Sequence, residues 1–388
     1  MAKFTDKLKA VKWNHFVNYI AVGIAMLLFS LLTFAGALPQ SMLYLLEKIT
    51  MNIILAVSLS LVVGFLGELS LGHAGFMCIG AYMGGKVACL LDGAIEGDGI
   101  LSFLIALLVG AAIAGVFGFV IGLPALRLKG DYLAIVTLAF GEIVKTVFEN
   151  TGTDSFGGPV GLRTPRFDKQ YLFIIGFALV LLTVFVVQNL IRSKHGRAIT
   201  AIRDNEIAAR ATGINVTKYK LVGFIISASF AGVAGVFYSF ANSTVSASVF
   251  DYNYSIEILI MVVIGGMGNI SGSIISATVI TFINTQLQTI LTGDLAVLKD
   301  IIYALILVLI IIYNNAPALK TFREKYNLGN LWRKLFKSHR NPARIRDDAS
   351  RWDVVPTKIS MDEVLSTDVI MDNTGDNSAD IDERGGNK

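Results

Sequence analysis

Charge is scarce in this chain of 388 residues: 16% are Asp, Glu, Lys or Arg, against 54% hydrophobic. Soluble domains of ordinary composition carry about 25% charged residues, so a solvated enzyme or binding domain is excluded in favour of a polytopic membrane protein, as the mean hydropathy of +0.64 also requires. Cysteine is nearly absent. Cys78 and Cys89 both lie in or at the end of an apolar segment, which points to buried thiols and not to a disulfide framework. Histidine is equally thin, with His15, His73, His195 and His339 scattered along the chain. No HExxH or GxSxG occurs and no carboxylate pair falls within the apolar segments, so the sequence offers no catalytic residue and no metal site. A net charge of +4 segregated by loop gives no reason to invoke a nucleic acid.

What the chain does have is long apolar runs. They lie at roughly 16–38, 44–67, 71–90, 101–124, 131–149, 171–191, 218–242, 254–268, 272–292 and 299–314. The expected fold class is therefore an all-α polytopic membrane protein with about ten transmembrane helices, several of them shorter than the ~20 residues of a full span and hence short or broken. Loop charge fixes the orientation. Lys3, Lys7, Lys9 and Lys12 precede the first run, Asp92, Glu96 and Asp98 fall in a loop that comes out external, and Lys320 to Lys337 fall inside, which places both termini in the cytoplasm. The organisation is a cytoplasmic N-terminus (1–15), a membrane domain (16–315), a basic segment (316–346) and a tail (347–388). That tail carries eleven Asp and Glu against four Lys and Arg and has the composition of a disordered segment.

The longest polar interruption between apolar runs is RSKHGRAITAIRDNEIAARATGINVTKYK, residues 192 to 220. Its cations put it in the cytoplasm. Thr200 to Thr212 reads as one short helix: it lacks Gly and Pro, Glu206 sits four residues before Arg210 in the favourable order, and Gly213 follows where a left-handed cap belongs. Ala208 and Ala209 keep the helix thin, as a peg for another protein's groove. A basic connector held to anionic membrane lipid fits the same pattern.

Four further stretches carry polar or glycine-rich signals. In GFLGELSLGHAGFMCIGAYMGGK, Gly64 to Lys86, one helix gives way to another around Gly67, Ser70, Gly72 and His73. Freed backbone groups at membrane depth must be buried in protein or face a water-filled path, so this break is either part of a translocation pathway or a close helix contact through small residues. LRLKGDYLAIVTLAFGEIVK, Leu126 to Lys145, adds Thr137 and Glu142 to the candidate pathway, with Glu142 and Lys145 one turn apart. GGMGNIS, from Gly265 through Gly268 to Ser271, echoes GFLGELS of Gly64 to Ser70 in register, as paired segments of transporter repeats do. The external loop from Thr151 to Leu162 is turn-forming, and could receive a partner or simply connect two helices. Gly80 to Val87 nearly satisfies the P-loop pattern, but Val87 lacks the hydroxyl for Mg²⁺ and the stretch lies in an apolar run. Any ATP is then hydrolysed on another chain.

Glu206-Ile207-Ala208-Ala209-Arg210-Ala211-Thr212-Gly213 resembles the EAA motif of ABC importer permeases, and its surroundings, with Gly67 to Ala74 and Leu126 to Lys145, resemble the LivM-type branched-chain amino acid permeases. Residue 68 is Glu where that family more often has Gln. The resemblance implies a type II ABC importer-like fold and a coupling loop at 192–217 in which Glu206, Ala208, Ala209, Arg210 and Gly213 dock on an ATPase. It further implies a LivH-type permease partner, two cytoplasmic ATP-binding subunits that hold ATP and Mg²⁺, an extracytoplasmic substrate-binding protein and a place in the bacterial inner membrane. A urea or amide permease of the same superfamily and an ion-coupled secondary transporter are the competing readings.

Overall fold

The computed structural model describes residues 17–34, 39–92, 99–128, 130–165 and 169–290, with isolated helical residues between 301 and 312. The expectations for the N-terminal segment, most of the last apolar run, the basic segment and the acidic tail lie outside the described residues. Everything below concerns the unit formed by Met1–Asn315.

Eleven helices carry the described fold: α1 (Val17–Phe34), α2 (Gln40–Ser60), α3 (His73–Asp92), α4 (Ile100–Ala125), α5 (Asp131–Glu149), α6 (Lys169–Arg192), α7 (Lys194–Asp204), α8 (Glu206–Ala211), α9 (Val216–Ala241), α10 (Tyr252–Gly265) and α11 (Ile270–Ile290). Among the described residues, six helices are long and apolar enough to cross a membrane, while α1 and α10 are apolar but shorter. The chain is thus a helical, multi-pass membrane protein. The apolar runs up to 292 each coincide with a helix, and those helices that fall short of a full span are of the short kind the sequence led one to expect. Charge removes α5, and α10 rises only about 21 Å at 1.5 Å per residue.

Helix α2 is the most deeply buried of the candidate spans. It is largely apolar, interrupted by Glu47, Lys48, Thr50 and Asn52, and from Leu45 to Ser60 it is buried on almost every face. It runs on into a π-helical turn, Leu61–Leu66, which Gly67 terminates in the left-handed conformation at φ +77°. Helix α2 is flanked by α6, α9, α10 and α11, while α3, α4 and α9 pack on one another through small residues. A Cβ on Gly80 of α3 would run into the backbone of Gly232 on α9, so the two helices approach to a distance that only glycine permits. This also disposes of the P-loop resemblance, because Gly80 to Val87 is the interior of α3, with its amides committed to helical bonds.

At one end of the bundle the loop after α5 forms a two-residue strand, β1 (Leu162–Arg163), antiparallel to β2 (Thr244–Val245) after α9. At the other end lie α7 and α8. Neither cysteine is bridged: Cys78 is buried, whereas Cys89 is only partly so and points at the Arg163 carbonyl, a correction to the expectation of two buried thiols.

Between β2 and α10 the backbone is irregular yet deeply placed, with Val245, Ala247 and Phe250 all buried. Tyr252 N–H donates to Glu142 Oε1 at 2.9 Å and Ser255 Oγ accepts from Ala74 N–H at 3.1 Å, so α10 begins beside the first turn of α3, well below the β1–β2 end. Overpacking a tight helix contact costs about 1–3 kcal/mol or more. Gly80→Val should therefore lower the thermal stability of the detergent-solubilised protein by at least that amount, whereas Gly23→Val, which meets open space, should leave the melt unchanged.

Candidate functional site

The polar segment expected to form one helix forms two. Asn205 adopts extended angles (φ −158°, ψ 104°), its N–H closing α7 on Ala201 O while its side chain caps α8 by accepting from Ala208 N–H at 3.0 Å. The single helix over Thr200 to Thr212 is thus corrected: an Asn side chain that can bond its own downstream backbone offers the chain a break that propensity alone does not exclude. The other local readings fit. Arg210 donates to Glu206 at 2.9 Å and Gly213 takes a positive φ of 84°.

The segment is not a free connector. Arg203 reaches back to the π-helical turn, where Nη1 donates to the Gly64 carbonyl at 3.0 Å. Its aliphatic stem lies so close to Gly67 that a Cβ there would sit 2.7 Å from Arg203 Cγ. Lys220, in the second turn of α9, is buried between two carboxylates: it donates to Glu68 Oε1 and, at 3.1 Å, to Glu206 Oε2. Ile202, Ala209 and Val216 close a small apolar cluster beneath. What remains outward is Ile207, 82% exposed on a two-turn helix, with Ala208 and Arg210 beside it.

The two glycine breaks meet here. A Cβ on Gly64 would collide with the Gly268 backbone nitrogen, and Gly67 and Gly268, equivalent in the sequence echo, both have positive φ, 77° and 83°. Each break precedes a helix start, α3 at His73 and α11 at Ile270. The rest of the sequence-selected residues distribute around this junction. Gly72 packs on the Thr137 backbone, and Thr137 Oγ1, fully buried, accepts from Leu71 N–H at 3.0 Å while donating to Ala134 O. His73 Nε2 meets Ser58 Oγ at 2.8 Å, and Ser70 is buried nearby. Gly265 fits against Gly272. Two stand apart: Ser271 donates to Asn18 of α1 at 2.7 Å, and Glu142 binds the start of α10 and Lys145.

Lys220 was the residue sequence reasoning passed over, taken as one more loop cation. Its signal was available: an ammonium at the start of an apolar run must find an anion, and Glu68 stood without a partner in the break.

A family profile described as "Branched-chain amino acid transport system / permease component" matches residues 41–311. The chain belongs to this permease family. It is 37% identical over 268 residues to the high-affinity branched-chain amino acid transport system permease protein LivM of Escherichia coli, a match covering 61% of each chain. It is also 28% identical over 295 residues to the ribose import permease protein RbsC of the same species, covering 70% of this chain and 84% of that one. The probable LivH permease of Methanocaldococcus jannaschii is 31% identical over 161 residues, 41% of this chain and 47% of that one. The match thus spans about three-fifths of the LivM relative's length. No solved structure is similar enough to match. Within this family, then, the chain packs two glycine breaks against a polar two-helix segment.

Removing one partner from a buried ion pair leaves an uncompensated charge and costs about 3–5 kcal/mol. Lys220→Met should therefore destabilise the protein by that order in a detergent melt. The double variant Glu68→Gln with Lys220→Met should recover most of the loss, because Glu206 keeps Arg210.

Proposed function

We propose that this chain is a membrane-spanning permease subunit of an ABC-type importer that carries branched-chain or related small amino acids inward. It would work with a LivH-type permease, two cytoplasmic ATP-binding subunits that bind ATP and Mg²⁺, and an extracytoplasmic substrate-binding protein. The observation that carries the reading is the junction itself. The α7–α8 segment is clamped to both glycine breaks through Arg203 and to Glu68 through Glu206 and Lys220, yet leaves Ile207 bare on its outer face. An isolated connector needs neither feature; a docking surface that passes a push into the membrane needs both. Membership in a branched-chain amino acid permease family supports the cargo.

In this reading α7 and α8 face the cytoplasm of a bacterial inner membrane, both termini lie on that side, and the β1–β2 end faces out toward the binding protein. The architecture is of the type II importer kind with about ten crossings, some short or broken. An ATPase that changes shape on binding ATP shifts the permease only if it holds the two permease states with different affinity. The rigid attachment of α8 to Gly64, Gly67 and Glu68 is a means of making that difference felt where α2 gives way to α3. Similarity to a ribose permease favours one second reading, the same scaffold carrying another small polar solute.

Purification of the tagged chain from its own membranes in mild detergent tests the docking role. Wild type should bring down an ATP-binding subunit, and Ile207→Asp, which sets a carboxylate in the contact, should lose it by about ten-fold or more. Equal recovery from the variant, or no ATPase with the wild type, would refute the reading; uptake of leucine against ribose by the reconstituted complex separates the two cargoes.

A further inference from the structure

A cavity of about 270 Å³ lies toward the β1–β2 end, walled by α2, the last turns of α9 and the first turns of α10. Its lining divides into two parts. Met51, Met77 and Phe237 make an apolar floor, while Glu47, Lys48 and Glu257 bring two carboxylates and an ammonium to one space within the membrane domain. Ionisable side chains at such depth cost several kcal/mol when they face lipid, and mark pathways where they face a cavity. The chain before α10, which leaves the α-helix for a single 3₁₀ turn at Ala247–Val249, strengthens the point, because Val249 lines the same space and broken helix within a membrane is tolerated only in protein or against a water-filled cavity.

The polar walls are held from behind. Tyr254 donates its hydroxyl proton to Asn52 Oδ1 at 2.8 Å, and Asn52 Nδ2 in turn donates to Thr281 Oγ1 at 2.8 Å. Asn284 Nδ2 donates to Glu257 Oε1 at 2.8 Å, fixing that carboxylate. Three helices, α2, α10 and α11, thus cooperate to orient two lining groups, which packing alone does not require. Glu47, Lys48 and Glu257 all have partners within the fold, so a ligand would share or exchange those contacts and would not neutralise stranded charges.

We propose that this cavity is a subsite for a small zwitterion with an aliphatic side chain. Its ammonium would lie toward Glu257 and Glu47, its carboxylate toward Lys48, and its hydrocarbon on Met51, Met77 and Phe237. The volume is at the small end of ligand sites, about 300–1,000 Å³, which suits an amino acid and excludes a bulky solute. Opposite charges over an apolar floor match a zwitterion at both ends, whereas a neutral sugar has no charge to exchange with them and no hydrocarbon chain for the floor. This assignment rests on the importer reading for its cargo, and deepens it by naming where this subunit holds that cargo.

The test uses the full complex, permease pair with its ATPases and binding protein, reconstituted in vesicles. Photo-leucine, the diazirine analogue of leucine, should on illumination label peptides carrying Met51, Met77 or Phe237 to Asn242, and excess leucine should abolish the label. Glu257→Gln, which still accepts from Asn284, should raise the KM for leucine uptake about ten-fold or more while protein yield holds. Tyr254→Phe, which removes only a hydroxyl, provides a second variant should the first accumulate poorly. Absence of label, label that leucine does not displace, stronger protection by ribose than by leucine, or an unchanged KM in both variants would overturn the proposal. A wild-type complex that imports no amino acid would sink the importer reading instead, and the labelling, which needs no transport, would still decide the cavity.

Discussion

One ammonium between two carboxylates holds the functional end of this molecule together. Lys220 sits on α9, Glu68 on the break between α2 and α3, and Glu206 on α8, so three chain segments far apart in sequence are fixed at one point. A buried ion pair contributes little net stability, because desolvation cancels most of the attraction. Its value here is geometric. Arg210 supplies the second cation that balances the second carboxylate, and Arg203 adds a bond to a backbone carbonyl that the π-helical turn leaves exposed. The polar segment cannot move as a unit without either carrying the break with it or stranding charge.

How much of this was legible depended on whether the deciding contact was local. Apolar runs gave the helices up to residue 292, since a run long enough to span has few alternatives. Glu206 with Arg210, and Gly213 as a cap, follow from neighbours three to seven residues apart. Asn205 is the instructive failure: local too, but its side chain chose the backbone of Ala208 over continuing the helix, and propensity ranks do not encode that choice. For Lys220 and Glu68 the sequence carried the need of each for a partner but not its position, the two being 152 residues apart and joined only once the helices had packed.

The sequence echo of Gly64 to Ser70 in Gly265 to Ser271 occupies a middle ground. A seven-residue glycine-rich match is weak as text, because glycine is common in membrane helices. In three dimensions the two copies touch, Gly64 against Gly268, and the last glycine of each motif, Gly67 and Gly268, has a positive φ. A left-handed residue with no Cβ ends a helix without steric cost. Gly67 ends the π-helical turn in this way, and Gly266, at φ 90°, follows the end of α10, so two chain segments re-enter the bundle side by side with the Arg203 guanidinium beside Gly64 and Gly268.

The junction and the cavity stand at opposite ends, but they share helices. α2 contributes Glu47 and Met51 to the cavity and runs into Gly64 at the junction; α9 contributes Lys220 to the junction and ends in Tyr238 to Asn242 on the cavity wall. At 26 residues α9 is about 39 Å of continuous helix. It is packed through Gly232 and Gly235 too closely against α3 and α4 to slide without repacking them. Close-packed helices switch between discrete arrangements and do not deform smoothly. A displacement at Lys220 is therefore transmitted along α9 as a rigid shift, which changes the far wall of the cavity relative to the Asn52 and Asn284 supports on α2 and α11. Contiguity of this kind offers a route for coupling; in the proposed importer its direction would be set by which of the two arrangements the ATP-binding partners hold more tightly.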